Sequence, residues 1–211
     1  MYVLYYYPGN ASLLPHMLLR EIGVPFELRL VDRSNNEQKS RDYLALNPSG
    51  RIPVLVADGQ AIYETAAIAL YLADRHSAQG LAPASDSALR GQYYKWMFHI
   101  SNTLQTEFRS WFYPHEYVDG VALIESVKRA TAARLSKTFA NIGIHLDLNP
   151  WLLGQQFSAA DLYLFMLVRW GRVLPSPPRL ISALAEHAGR VVKRPAVREA
   201  LAHEGISEPY V

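Results

Sequence analysis

Tyr6, Asn10 and Ser12 surround a Pro8-Gly9 dipeptide and place a phenol, an amide and a hydroxyl, all hydrogen-bond donors, in one short stretch. No Asp, Glu, Lys or Arg occurs between residues 2 and 19, so these donors lie in an uncharged segment. Two further polar features follow. Ile52-Pro53 sets a proline after a strand-forming residue, and Glu64-Thr65 sets a carboxylate and a hydroxyl at the mouth of a helical pattern. Each has a purely structural reading as well: Ser12 and Thr65 as helix caps, Asn10 as a turn residue tolerant of positive φ, and Pro53 as a trans residue on an edge strand. What the chain lacks narrows the chemistry. It has no cysteine, which excludes disulfides, thiolate metal sites and a protein thiol nucleophile, so sulfur chemistry needs a thiol brought by a ligand. Its seven histidines show no ligand spacing, and there is no phosphate loop or dinucleotide glycine motif.

The elements that must hold these groups follow from periodicity. Val3–Tyr7 reads as a strand ending at Pro8-Gly9. Leu14, Met17, Leu18 and Ile22 then fall at helical spacing and stop at Gly23 and Pro25, with Pro15 tolerated in the first turn. Phe26–Val31 reads as a second strand and Ser40–Leu46 as a short helix ending before Asn47-Pro48. Ile52–Val56 and Gln60–Tyr63 flank Asp58-Gly59, the dipeptide of a tight hairpin, and Thr65–Arg75 is helical. The order is βαβ, then ββα. Ser77–Asp86 lacks periodicity and reads as a linker; the rest is helical, over about 88–112, 121–141, 158–170, 180–190 and 195–203. Ser158 to Asp161 before an apolar run is a helix-capping arrangement, with Phe157 and Leu162 placed for a hydrophobic staple, and concerns folding rather than chemistry.

Composition agrees with a globular protein: 50% apolar and 19% charged residues in 211, enough for a sizeable core. A formal charge of +2 is too small for a nucleic-acid footprint, which leaves a small molecule as the expected partner. The N-terminus has no basic n-region or cleavage site, and prolines interrupt its uncharged stretch, so neither a signal peptide nor a membrane span is expected. A reducing cytoplasm is the expected location.

Four segments together resemble bacterial glutathione transferases of the beta class: Tyr6 to Leu13, Asn47 to Leu55, the pair Glu64-Thr65, and Phe157 to Asp161. The resemblance spans nearly the whole chain. It implies an α/β plus all-α protein, with a thioredoxin-like N-terminal domain (βαβ-ββα) over residues 1–77 that holds glutathione. An all-helical C-terminal bundle over residues 87–211 would form the substrate domain. It further implies a cis bond before Pro53, leaving the backbone of Ile52 to pair with the cysteinyl unit of glutathione as an added strand does. Glu64 would take the γ-glutamyl ammonium; Thr65 and the helix N-terminus would take its carboxylate. Glutathione would be a co-substrate and the protein a homodimer, each N-terminal domain docking on the partner's helical domain. No metal is implied.

The pattern breaks at two positions. The beta class carries a cysteine at the position of Ala11 and a histidine at that of Gln105, the residue here assigned with Ile52, Pro53, Glu64 and Thr65 to glutathione binding. A methyl group at Ala11 cannot form a mixed disulfide, so another group must favour the thiolate, whose free pKa is about 8.5. Ser12 ranks first, in the manner of serine-type transferases, then Tyr6, as in tyrosine-type ones, then Asn10. Tyr5 and Tyr7 point to the other sheet face and are expected to pack. Trp96, Phe98, His99, Phe108, Trp111, Phe112 and Tyr113 make the long helix aromatic, as bundle core for most of them and as a wall for a flat apolar electrophile. The expected reaction is thiolate attack on such an electrophile, a detoxification chemistry. The competing reading is a non-catalytic binding module on the same fold. Glutathione-dependent isomerisation is disfavoured because the Ser-Ser-Cys turn of that class is absent.

Overall fold

In the computed structural model, which describes residues 1–211, the chain divides into two compact units. The first comprises Met1–Ala84 with Val192–Tyr210, and the second Ser85–Val191.

The first unit is built on a four-stranded sheet in the order β2-β1-β3-β4. Strand β1 (Tyr2–Tyr6) runs parallel to β2 (Phe26–Leu30), which requires a crossover, supplied by helix α1 (Leu13–Ile22). The β3 strand (Val54–Ala57) is antiparallel to both β1 and β4 (Gln60–Tyr63). Asp58 and Gly59 both take positive φ, 52° and 78°, as the tight hairpin turn demands. Alternation along β1 sends Leu4 into the core and Tyr5 to the opposite face, where it packs on Val31, Tyr43 and Val54. Helix α2 spans Arg41–Leu46 and is capped by the Ser40 hydroxyl, which accepts from the Tyr43 N–H at 3.2 Å. Helix α3 (Thr65–Arg75) follows β4 directly.

Helix α1 is apolar on nearly every side because α3 and α9 (Pro195–His203) both pack on it. Arg194 at the start of α9 holds Glu21 of α1 in a two-pronged ion pair at 2.6 and 2.7 Å. The last helix of the sequence thus belongs to the sheet-bearing unit.

The second unit is helical. α4 (Arg90–Phe98) and α5 (Thr106–Phe112) are joined without a break by a π-helical stretch, His99–Gln105, inside what periodicity reads as one helix. α6 (Val121–Asp147) continues past the expected end at Asn141 because Gly143 is no stop: a Cβ there would lie 2.7 Å from the Ile181 side chain, so the glycine admits a close neighbour. α7 (Ala159–Trp170) is buried from Ala159 to Arg169 and forms the centre of the unit, and α8 spans Ser182–Val192. The expected capping box is present. Asp161 is fully buried and accepts from the Ser158 N–H at 2.9 Å, the Leu152 N–H at 2.9 Å and His187 at 3.0 Å. Phe157 turns its ring against Trp151, 5.0 Å away.

Candidate functional site

Three polar features of the first unit lie at one end of its sheet. The β3–β4 register pairs Val54 with Tyr63, so Pro53 before β3 and Glu64 after β4 leave the same end of the strand pair. The β1–β3 register pairs Tyr5 with Val54, so the turn after β1 leaves from that end of the sheet too. The loop before β3, the mouth of α3 and the turn into α1 therefore converge, although the sequence separates them by tens of residues.

The loop is held rigidly. Asn47 and Tyr43 both donate to the Arg51 carbonyl, at 2.7 and 2.8 Å, and the Asn47 side-chain oxygen Oδ1 accepts from the Ser49 N–H and hydroxyl. Burial, and then the neighbouring Tyr5, push the Tyr43 phenol well above its ordinary pKa, so it stays a donor. The Ile52–Pro53 bond is cis. The strand begins only at Val54, two residues later than periodicity suggests, because Pro53 has no N–H for a ladder. No backbone hydrogen bond engages Ile52, which is half-buried. Gly50 sits at φ 60°, and a Cβ on it would meet the Gln38 carbonyl at 2.8 Å and the Lys39 ammonium at 2.9 Å. Lys39 is thereby placed against this loop with no ion-pair partner, a residue that the sequence reading missed because nothing local links it to Gly50.

At the α3 mouth, Glu64 is exposed and adopts φ 72°, ψ 116°, a conformation that costs a non-glycine residue about 1–3 kcal/mol. Its carbonyl accepts from the Ile68 N–H, which starts the helix, and no side chain caps the N–H groups of the first turn. Thr65 is 5% exposed. An uncapped helix start beside a hydroxyl and a carboxylate suits a group carrying both a negative and a positive charge.

In the turn into α1, the three proposed donors differ. Ser12 is fully buried; its hydroxyl donates to the Tyr7 carbonyl at 3.1 Å and accepts from the Tyr7 N–H at 3.2 Å. Its one proton is already in use within the turn. The Asn10 side chain turns its oxygen to the Ala11 N–H at 2.6 Å; the donor there must face oxygen, so the amide NH2 points away and has no internal partner. Tyr6 presents a phenol with no internal partner, its ring edge-on to His16 and His203. Burial, and then the charge of Glu204, raise its pKa, which keeps it protonated. Ala11 is 4% exposed.

Glu204 was invisible in the sequence as a partner of this turn. It lies just past α9, accepts from the Gly9 N–H at 2.8 Å and meets His16 Nδ1 at 2.8 Å, with both side chains fully buried. Gly9 itself is at φ 67°.

Gln105 belongs to the second unit, at the end of the π-helical stretch, where its carbonyl oxygen accepts from the Tyr163 hydroxyl. His99 is held below its ordinary pKa by burial and then by Lys95. Of the aromatic series, Trp96 and Phe108 are core, whereas Phe98 and Phe112 are 52% and 44% exposed. No three His, Asp or Glu side chains gather as a metal group would need.

Residues 12–75 match the family of the glutathione S-transferase N-terminal domain. The glutathione S-transferase GST-4.5 of Xanthomonas campestris is 33% identical over 97% of this chain and 99% of its own. A sphingomonad glutathione S-transferase solved in complex with glutathione superposes with a TM-score of 0.86 at 33% identity, over 97% of this chain and 100% of that one. The beta-class enzyme of Sphingomonas chungbukensis does so with a TM-score of 0.86 at 29% identity and the same coverage. With a thioredoxin-like sheet unit, a helical unit and homology along nearly its whole length, the chain belongs to the glutathione S-transferase family as a beta-class-like member.

Proposed function

We propose that the protein binds glutathione on the first unit and catalyses attack of its thiolate on a small apolar electrophile. A carbon–sulfur bond forms, the bond from carbon to the leaving group breaks, and that group departs with the electron pair. The observation that carries the reading is the convergence of the unpaired Ile52 backbone with the uncapped mouth of α3. The cysteinyl unit pairs with Ile52, where Pro53 supplies no competing donor. The γ-glutamyl carboxylate meets the Thr65 hydroxyl and the first-turn N–H groups, and its ammonium meets Glu64. With those two ends fixed, the glycyl carboxylate runs past Ile52 toward the cation at Gly50, Lys39.

The sulfur then faces the turn into α1. Asn10 is the best-supported thiolate donor because its NH2 has no internal partner, with Tyr6 next; Ser12 holds the turn together through Tyr7. Ala11 leaves the sulfur without a protein thiol with which to form a disulfide. The reading extends to a homodimer in the cytoplasm, supported by Tyr94 and Phe98, exposed one turn apart on α4, and by the absence of cysteine. No helix is long and apolar enough to cross a membrane.

Titration calorimetry with glutathione tests binding, and conjugation to 1-chloro-2,4-dinitrobenzene tests turnover. Binding with thioether formation is expected. The apolar Ala11 and the bonded Ser12 favour a second reading, a module that binds glutathione without turning it over; heat of binding with no conjugate would establish it. No heat at millimolar glutathione refutes both.

A further inference from the structure

We infer that His203, the last residue of α9, accepts the thiol proton of glutathione as the thiolate forms. This rests on the function proposed above, because it concerns the same sulfur, and it adds the base that receives the proton.

A thiolate forms only if its proton has somewhere to go, and the groups around the turn into α1 are already committed. Asn10 turns its oxygen to the Ala11 N–H and offers only donors outward. The Ser12 hydroxyl both donates to and accepts from the Tyr7 backbone. Burial, and then Glu204, keep the Tyr6 phenol protonated, so it too is a donor. The Glu204 side chain is fully buried, and its two oxygens accept from the Gly9 N–H and meet His16 Nδ1, each at 2.8 Å. His16 is itself fully buried.

His203 differs from all of these. It is exposed, and neither of its ring nitrogens has a hydrogen-bond partner within the protein. Its ring stands edge-on to that of Tyr6, with centroids 6.5 Å apart, and to that of His16, with centroids 5.5 Å apart. The imidazole therefore sits beside one of the two phenol and amide donors proposed for the sulfur. The next residue fixes it there: Glu204 bonds to Gly9, so the end of α9 is tied to the turn that presents Asn10. Every one of these groups belongs to the first unit. The titratable groups around His203 are thus Tyr6 on β1, His16 on α1 and the adjoining Glu204, and only His203 combines exposure with a free basic nitrogen.

The transfer runs across one water, a reach that general bases use. The S–H bond breaks with its electron pair left on sulfur, and an N–H bond forms on the imidazole. After the carbon–sulfur bond has formed and the leaving group has departed, the imidazolium gives the proton to solvent.

The test is calorimetry of glutathione binding at pH 7 in buffers of different ionisation enthalpy, which counts the protons passed to solvent. Lowering the thiol pKa from about 8.5 to about 7 frees about half a proton from sulfur per glutathione. Wild type should keep that proton and give a count near zero, whereas His203→Ala should release about half a proton. His203→Gln, which keeps a polar side chain beside Tyr6, should match His203→Ala. S-methylglutathione, with no thiol proton, should give the same count in all three proteins. Stopped-flow ultraviolet absorbance should show the thiolate appearing about a hundredfold more slowly in His203→Ala and recovering with imidazole in the medium, a rescue that a merely structural role does not allow. Equal proton counts in wild type and both variants, or no rescue by imidazole, overturn the role of His203 and leave glutathione binding in place. No heat of binding in wild type overturns the binding itself, and the role of His203 with it.

Discussion

Replacing Asn10 by alanine should raise the thiol pKa of bound glutathione by about one unit, and the structure supplies the size of the effect. A hydrogen bond to a charged group contributes about 1.5–3 kcal/mol when enclosed, and Asn10 is only partly buried, so the lower end applies. One pKa unit is about 1.4 kcal/mol, and the N-terminus of α1 adds about 0.3–1 kcal/mol. Together they bring a free thiol pKa of about 8.5 down to about 7. Asn10→Ala removes the first contribution and leaves the second, which returns the pKa to about 8. Because the bonds favour the charged form, the loss appears below the new pKa. At pH 7 the thiolate fraction falls from about one half to about one tenth, so conjugation slows about fivefold and recovers above pH 8.5. The assay is thiolate absorbance in the ultraviolet across pH, paired with the pH profile of conjugation. Ser12→Ala should leave that pKa in place and instead lower stability by about 1–3 kcal/mol, since the Tyr7 N–H loses its partner. A unit rise in Ser12→Ala with none in Asn10→Ala would refute the assignment.

Other expectations follow from single contacts. Lys39→Met should weaken glutathione binding about tenfold by calorimetry yet bind the glycyl ethyl ester of glutathione as wild type does; equal losses for both would remove Lys39 from the site. Glu204→Ala strips the buried His16 of its carboxylate and the Gly9 N–H of one acceptor, so denaturant unfolding should show a loss of about 3 kcal/mol, with glutathione affinity falling as the turn loosens. A midpoint unchanged in urea would show that this buried pair contributes nothing. Asp161→Ala strips Ser158, Leu152 and His187 of their acceptor and should cost about 3–5 kcal/mol, read as a lower unfolding midpoint of the helical unit.

Much of this molecule was determined locally. The hairpin at Asp58-Gly59, the stop at Gly23 and the start of α9 at Pro195 each depend on the backbone freedom of one or two residues, so their sequence alone placed them. The capping box at Ser158 and Asp161 is equally local, spanning one turn. For Glu64, Thr65 and Ile52-Pro53 the types alone read equally as a helix start and an edge-strand proline, and the expectation of a glutathione site came from the resemblance to glutathione transferases.

The tertiary structure decided which groups were available. Ser12 and Asn10 are indistinguishable as donors in a sequence, and only the path of the turn shows that one hydroxyl bonds to Tyr7 while one amide faces outward. Lys39 reaches the loop because Gly50 has no Cβ, and Glu204 reaches Gly9 from 195 residues away. Periodicity reports which face of a segment is buried. It carries no information on the partner of a polar atom, because a hydrogen bond is satisfied in space by whatever chain passes within about 3 Å, whatever its place in the sequence.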